Sequence, residues 1–232
     1  MQGEVEATAG APPVAQERPR AFGALWPFLR YAFIASIVSE VLYGLSCAHA
    51  YIVLKNIYDG ADVSEASAGL VDLHQGLTSI LYFIVMVVAI VAYCRFFYRA
   101  MKNLTAVNAA GLRTTPFWAV GYFFVPIVNL WKPLGAVRQI WRGSFDPKAA
   151  DVHVPSMIGW WWFCWLVQNF LGNISFRMQM KSGGFGEEIV DFDAYLGSLT
   201  ADMISAPFAI AGAMFVLQFS ARIKLAQDEN VL

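Results

Sequence analysis

Charged residues are scarce in this chain of 232 residues: Asp, Glu, Lys and Arg make up 14% of it, and the formal net charge is -1. A nucleic-acid-binding protein needs clustered bases to neutralise phosphates, so this balance argues against such a partner. Cysteine and histidine are equally sparse, with three of each. They are too widely spaced for a metal site or a disulfide framework, and no catalytic motif is present. The sequence therefore predicts neither a cofactor nor an enzyme.

Apolar and aromatic residues are what the chain has in abundance. Hydrophobic residues make up 58% of it and aromatic residues 15%, with eight tryptophans. A bilayer core of about 30 Å takes about 20 helical residues to cross, and continuous apolar runs of that length are too long for barrel strands. We therefore expect an all-α integral membrane fold with four transmembrane helices, at residues 31–54, 77–98, 156–174 and 199–219.

These spans belong to one predicted transmembrane domain, residues 22–224. Before it, residues 1–21 hold almost no large apolar side chain and predict a disordered cytoplasmic tail. After it, residues 225–232 are predicted to form a C-terminal tail. Bases flank the first span on its N-terminal side and the last span on its C-terminal side, which places both chain ends in the cytoplasm.

A fifth apolar segment, residues 116–131, contains Pro126 and would cover only about 24 Å as a helix. Bases dominate both of its flanks, as is typical of cytoplasmic loops. We therefore expect a re-entrant hairpin that enters from the cytoplasm and returns, with a short full span as the alternative. The next stretch, residues 133–145, has an apolar stripe at helical spacing. It predicts an amphipathic helix that lies at the membrane interface or packs against the bundle.

Glu40 is an acid deep inside a predicted span, where a carboxylate is costly unless it is paired or functional. It shares one face of the first helix with Tyr43 and Cys47. Three interpretations stay open. Glu40 binds a cation or proton in a small aqueous cavity, forms an ion pair with a base such as Arg99, or is protonated and hydrogen-bonded to Tyr43.

Three motifs follow one another in the middle of the chain: an Arg and Asn-Leu element, a Pro and Trp element, and a Pro followed by Asn-Leu-Trp-Lys-Pro. Their candidate structural or binding residues are Arg99, Asn103, Pro116, Trp118, Pro126, Asn129, Trp131, Lys132, Pro133 and Trp141. The pattern resembles the family catalogued as domain of unknown function 4328. This resemblance implies a multi-span protein of the bacterial cytoplasmic (inner) membrane, and it brings no reaction or cofactor with it.

Two functions of different classes are compatible with these features. The first is a non-enzymatic scaffold or accessory subunit that binds a protein partner or membrane lipid through the basic hairpin, with a homo-oligomer as a further alternative. The second is a small-solute or ion permease that uses Glu40 and the proline-broken segment, because broken helices mark binding sites in transporters. A continuous polar path past Glu40 favours the permease, whereas a dry, packed interior favours the scaffold.

Overall fold

The computed structural model describes residues 18–183 and 191–231, and within them the chain is helical and contains no strand. The predicted all-α fold is therefore confirmed for these residues, whereas most of the predicted N-terminal tail lies outside them. The α-helices are α1 (Leu25–Tyr58), α2 (Glu65–Ala106), α3 (Pro116–Gly121), α4 (Lys132–Phe145), α5 (Ser156–Lys181) and α6 (Phe192–Asn230). Two short 3-10 turns, Tyr122–Phe124 and Val128–Leu130, lie between α3 and α4.

Three of the four predicted spans coincide with helices that are long and apolar enough to cross a membrane: α1, α2 and α6. They contain 34, 42 and 39 residues. At about 1.5 Å per residue they are about 51–63 Å long, so each extends beyond the apolar run from which it was predicted. The fourth predicted span lies in α5, which has 26 residues. It is not among the helices that are long and apolar enough to cross a membrane, and it carries Gln168, Asn169 and Asn173.

The four long helices form a bundle in which α1 packs between α2 and α6, and α6 packs against α5. Side-chain contacts between α2 and α5 close the bundle; the ring centroids of Tyr93 and Trp161 are 6.3 Å apart. Many large apolar side chains point outwards, among them Leu45 (64% exposed) and Ile80 (61% exposed). An apolar outer surface of this extent is what a lipid-facing bundle requires.

The two ends of the bundle differ in charge. We call the end with the α1–α2 and α5–α6 turns the acidic end; the rings of Tyr58 and Phe192 meet there at 6.2 Å. Its acidic residues include Asp59, Asp62, Glu65, Asp191 and Asp193. We call the opposite end, which holds α4 and the end of α6, the basic end. Its basic residues include Arg99, Lys102, Arg138, Arg142 and Arg222.

At the acidic end, Asp191 fixes the start of α6. Its carboxylate accepts a hydrogen bond from the backbone N–H of Ala194 at 2.9 Å and pairs with Lys181 at 2.8 Å. The ion pair with Lys181 and the bond from Ala194 hold the pKa of Asp191 below its usual value. One side chain therefore serves both as the N-cap of α6 and as a link to the end of α5.

At the basic end, a buried amide network ties four parts of the chain together. Asn103 Oδ1 accepts from the Arg20 N–H at 2.9 Å, and Asn103 Nδ2 donates to the Arg20 carbonyl at 2.9 Å and to Gln227 Oε1 at 3.0 Å. Gln227 Nε2 then donates to the Ala100 carbonyl at 3.1 Å and to Ser144 Oγ at 3.0 Å. The segment before α1 thus meets α2, α4 and α6.

The prediction of a C-terminal tail from residue 225 is wrong, because α6 continues to Asn230. The helix persists because Gln227 is fully buried in the amide network and Ile223 is fully buried in the core. The polar residues 225–230 look like a tail in the sequence, because the sequence does not show the partners of the Gln227 amide.

The segment 116–131 is a compact hairpin and not a continuous helix. Thr115 caps the six-residue α3, and the chain then breaks into the two 3-10 turns that flank Pro126. The residue just before the hairpin lies beside α4, because the Arg113 N–H donates to Gln139 Oε1 at 2.8 Å. This bond places the start of the hairpin beside α4, and residues 116–131 do not form a continuous helix.

The amphipathic helix predicted at residues 133–145 is present as α4. Its apolar stripe faces the protein: Val137, Ile140 and Trp141 are at most 5% exposed. Of the two placements considered for this helix, packing against the bundle is the one observed. Burial of these side chains removes apolar surface from water, which supplies the driving force for docking α4.

Candidate functional site

The structure places Glu40 in the bundle interior, where it is 6% exposed. The hydroxyl of Tyr82, on α2, donates a hydrogen bond to the Glu40 carboxylate. The Gln168 amide, on α5, in turn donates to the Tyr82 hydroxyl. Three helices thus contribute to the surroundings of one carboxylate.

A second carboxylate, that of Asp202 on α6, lies in the same region. The hydroxyl of Tyr43 donates to Asp202 Oδ2 at 2.9 Å, and Ser175 of α5 provides a further hydrogen bond. The negative charge of Asp202 acts on Glu40, and the rings of Tyr43 and Tyr82 stack at 5.1 Å between the two acids. Among the described residues, no Lys or Arg forms an ion pair with Glu40 or Asp202. We call Glu40 and Asp202 the carboxylate pair.

The predicted ion pair between Glu40 and an arginine such as Arg99 is therefore wrong, and so is the direct bond from Tyr43 to Glu40. Tyr43 binds the other acid, and Tyr82 takes the place expected for Tyr43. The bases that suggested the ion pair are on the basic end, whereas Glu40 lies within the span.

A chain of hydrogen bonds connects this region with the surface near the acidic end. Ser46 Oγ donates to Gln75 Oε1 at 2.6 Å and lies 2.7 Å from His74 Nδ1. His74 Nε2 lies 2.6 Å from Nδ1 of the exposed His49. Gln75 Nε2 donates to the Cys47 sulfur at 3.5 Å, and Cys47 lies one helical turn after Tyr43, the partner of Asp202.

The direction of these bonds follows from counting protons. The Ser46 hydroxyl has one proton and gives it to Gln75, so the proton shared with His74 belongs to His74 Nδ1. Nε2 of a neutral His74 is then an acceptor, and His49 Nδ1 must be the donor. Further in, the Gln75 amide N–H donates to the Cys47 sulfur, and the Tyr43 hydroxyl donates to Asp202. The bonds from His49 to Cys47 and the bond from Tyr43 to Asp202 therefore point inwards, and Cys47 lies one helical turn after Tyr43 on α1.

This arrangement has the parts of a proton or cation site. Two buried acids without a basic partner favour uptake of positive charge, because it relieves their mutual repulsion. Proton transfer is slowest at the Gln75 amide, because an amide can accept and release a proton only by changing its tautomer. Tyr43, Cys47 and Gln75 thus lie between the carboxylate pair and the two histidines.

The polar chain ends at the carboxylate pair, because aromatic rings fill the bundle on the basic side. Tyr93 lies 6.4 Å from the Phe33 ring and 4.2 Å from the Phe97 ring. Within the described residues, the buried hydroxyl oxygens of Tyr93 and Ser220 have no hydrogen-bond partner. The path is therefore open on one side only in this conformation.

The family of the chain follows from a comparison with known sequences. A family model with the description "Domain of unknown function (DUF4328)" matches residues 59–221. The chain belongs to this family. The resemblance seen in the sequence motifs is thereby confirmed, whereas no curated protein and no solved structure matches the chain. The part matched by the DUF4328 family begins after α1, so it contains Asp202 and Tyr82 but not Glu40.

The DUF4328 motifs lie away from the carboxylate pair. Asn103 belongs to the buried amide network, and Trp141, 5% exposed, donates from Nε1 to the His153 carbonyl at 3.1 Å. Arg99 is half-buried and lines a surface pocket of about 400 Å³ with Arg95 and Tyr98. These motif residues position the N-terminal segment, α4 and the loop before α5, and they contribute nothing to the carboxylate pair.

The remaining motif residues form the hairpin. Pro116 begins α3, and Pro133 is buried in the first turn of α4. Trp118, which stacks on Tyr122, and Trp131 are 43% and 52% exposed. Lys132 lies 6.0 Å from the centroid of the Tyr122 ring. Pro126 is exposed between the 3-10 turns, and Asn129 Oδ1 is buried without a partner among the described residues.

The residues of the candidate site that were missed in the sequence include Asp202, Tyr82, His49 and His74. Asp202 is only three residues from the start of the predicted span 199–219, whereas α6 starts at Phe192 and places this acid well inside a helix. The histidines are far apart in sequence, but they lie at equal distances from the turn at residues 59–64. Pairing α1 and α2 as an antiparallel hairpin would have brought them together.

Proposed function

We propose that this DUF4328 protein is an ion permease of the bacterial inner membrane that binds a proton or another small cation at the carboxylate pair. The observation that carries the proposal is the set of inward hydrogen bonds from His49 to Cys47 and from Tyr43 to Asp202. Along α1, Glu40 lies about 13 Å from His49 at about 1.5 Å per residue. The chain would therefore cross nearly half of a core of about 30 Å. No chemical reaction is assigned to the protein.

In this proposal α5 is the fourth span and the hairpin is re-entrant. At about 1.5 Å per residue, the 26 residues of α5 reach about 39 Å, which suffices to cross the bilayer. The polarity of Gln168 is accommodated because its amide is bonded to Tyr82 inside the bundle. The concentration of Lys and Arg at the basic end supports a cytoplasmic location for that end and for both chain termini.

Transport requires the aromatic side of the path to open in a second conformation. The bundle offers a flexible point at Pro207 of α6, five residues after Asp202. Proline cannot donate the helical hydrogen bond to the carbonyl of Met203. Alternating access by movement around such a broken helix is common among transporters.

The proposal is tested with purified protein in liposomes that enclose a pH-sensitive dye. A potassium diffusion potential drives cation entry, with proton entry read from the dye and sodium entry from a tracer. We expect flux that is lost in Glu40→Gln and in Asp202→Asn, each of which keeps its side-chain size. The control Asp62→Asn changes an exposed acid in the α1–α2 turn and should retain full flux. Unchanged flux in both site variants, or none in the wild type, contradicts the proposal.

A scaffold or accessory subunit is the second candidate, and one observation favours it. The hairpin presents a contiguous set of large side chains that are at least 43% exposed: Phe117, Trp118, Phe124, Ile127, Leu130 and Trp131. Such a surface suits membrane lipid, a protein partner or a second copy of the chain. Cross-linking from position 127 in native membranes distinguishes these occupants. A stoichiometric protein adduct together with absent ion flux would support this candidate.

A further inference from the structure

A second polar pocket lies at the basic end, far from the carboxylate pair. It has a volume of about 310 Å³ and is formed by α4, the loop at residues 151–155 and the first turn of α5. Arg138 and Arg142 lie on successive turns of α4 and both line it. Asp151 is the acid in its lining, so the charged side chains leave a surplus of one positive charge.

Local hydrogen bonds hold this pocket in shape. Arg142 Nε donates to the Val152 carbonyl at 3.2 Å, and Trp141 Nε1 donates to the His153 carbonyl at 3.1 Å. Both donors are on α4 and both acceptors are in the loop, so the loop is attached to the helix at two consecutive residues. A guanidinium that is already held at one nitrogen loses less freedom when its other nitrogens bind a ligand.

The chemistry of the pocket selects an oxyanion with several acceptors. The planar guanidinium group donates in pairs to phosphate or carboxylate oxygens. Two guanidinium groups one turn apart suit the tetrahedral phosphate, which presents oxygens in several directions. Trp160, next to Gly159 of the pocket wall, is 57% exposed, and exposed indoles favour the level of the lipid headgroups.

We propose that Arg138 and Arg142 bind a phosphate group in this pocket, and that the group belongs to an anionic lipid headgroup or to a soluble phosphate compound. This site is separate from the proposed permease site and does not depend on it. The two sources of the phosphate group present the same chemistry to the arginines, but only the lipid headgroup requires a bilayer for binding.

The experiment compares the wild-type protein with Arg138→Gln, with the double variant Arg138→Gln/Arg142→Gln, and with a control of equal charge change, Arg113→Gln/Arg222→Gln. Arg138 is exposed and donates none of the bonds that hold the loop, so its single variant keeps the pocket in shape. One arm counts phosphatidylglycerol molecules retained after purification by native mass spectrometry. The other arm measures binding of inorganic phosphate in neutral detergent by equilibrium dialysis.

We expect the wild type and the control to retain ligand in the same arm. Arg138→Gln should bind at least about tenfold more weakly, because it loses one charged contact. The double variant should lose binding. Retention of lipid alone identifies the headgroup as the source. Binding of inorganic phosphate shows that a soluble source suffices. Absence of binding in both arms, or equal loss in the control, overturns the proposal, because general attraction to the basic end would then explain any retention.

Discussion

Replacement of Asn103 by alanine provides the sharpest test of the packing at the basic end. Asn103 is 2% exposed and Gln227 is 0% exposed, so Gln227 Oε1 loses its partner in a region without water. A stranded buried acceptor costs about 1–3 kcal/mol. The two bonds to the Arg20 backbone contribute about 0.5–1.5 kcal/mol each, since that backbone can be solvated again. We therefore expect Asn103→Ala to lose about 2–6 kcal/mol of the free energy of unfolding.

The cysteines offer the assay. Cys47 is 0% exposed and Cys164 is 6% exposed, so a thiol-reactive fluorophore reports unfolding in a Cys94→Ser background during a thermal ramp in nanodiscs. The matched control is Asn169→Ala, because Asn169 is exposed and its amide bonds, among the described residues, only to the Trp165 carbonyl of its own helix. If Asn103→Ala melts as late as this control, the amide network does not stabilise the bundle as argued.

Three further predictions concern the path, the acidic end and the helix packing. Gln75→Glu should increase proton flux in liposomes, because a carboxyl can accept and release a proton without changing tautomer; slower flux in a stably folded variant contradicts the role of Gln75. The pKa of Asp191 is lowered by Lys181. The stabilisation that ionised Asp191 gives to the folded protein is therefore fully present above the ordinary carboxyl pKa, and it is lost as the pH falls through the lower pKa of the folded state. Between about pH 6 and 3, the melting temperature should therefore fall more steeply in the wild type than in Asp191→Asn, and equal slopes refute the link. A methyl group at Gly44 would lie 3.7 Å from Ala206 Cβ, so Gly44→Ala should be tolerated and Gly44→Leu should cost about 1–3 kcal/mol in the same thermal assay.

The apolar runs predicted the long helices well because lipid imposes one requirement on every crossing segment: its backbone must bond internally. The ends of these helices were less predictable, since they depend on contacts remote in sequence. Gln227 extends α6 because Asn103 and Ser144 receive its amide. Residues 225–230 alone contain no signal for that burial.

The candidate site was half visible in the sequence. Glu40 is conspicuous because it interrupts an apolar run, whereas Asp202 is close to the start of one and therefore looks like a loop acid. Tyr82 and Gln168 are unremarkable residues until the packing of α2, α5 and α1 brings them to Glu40. Hydropathy indicates which residues cross the membrane, but the rotation of each helix about its axis decides which polar groups meet.

The contact between Asn103 and Gln227 also has a consequence for biosynthesis. The two residues are 124 positions apart, and a chain is inserted into the membrane in order of synthesis, N-terminal part first. During the time needed to make the intervening residues, the Asn103 amide lacks this partner. The buried amide network at the basic end can therefore be completed only after Gln227 has been synthesised.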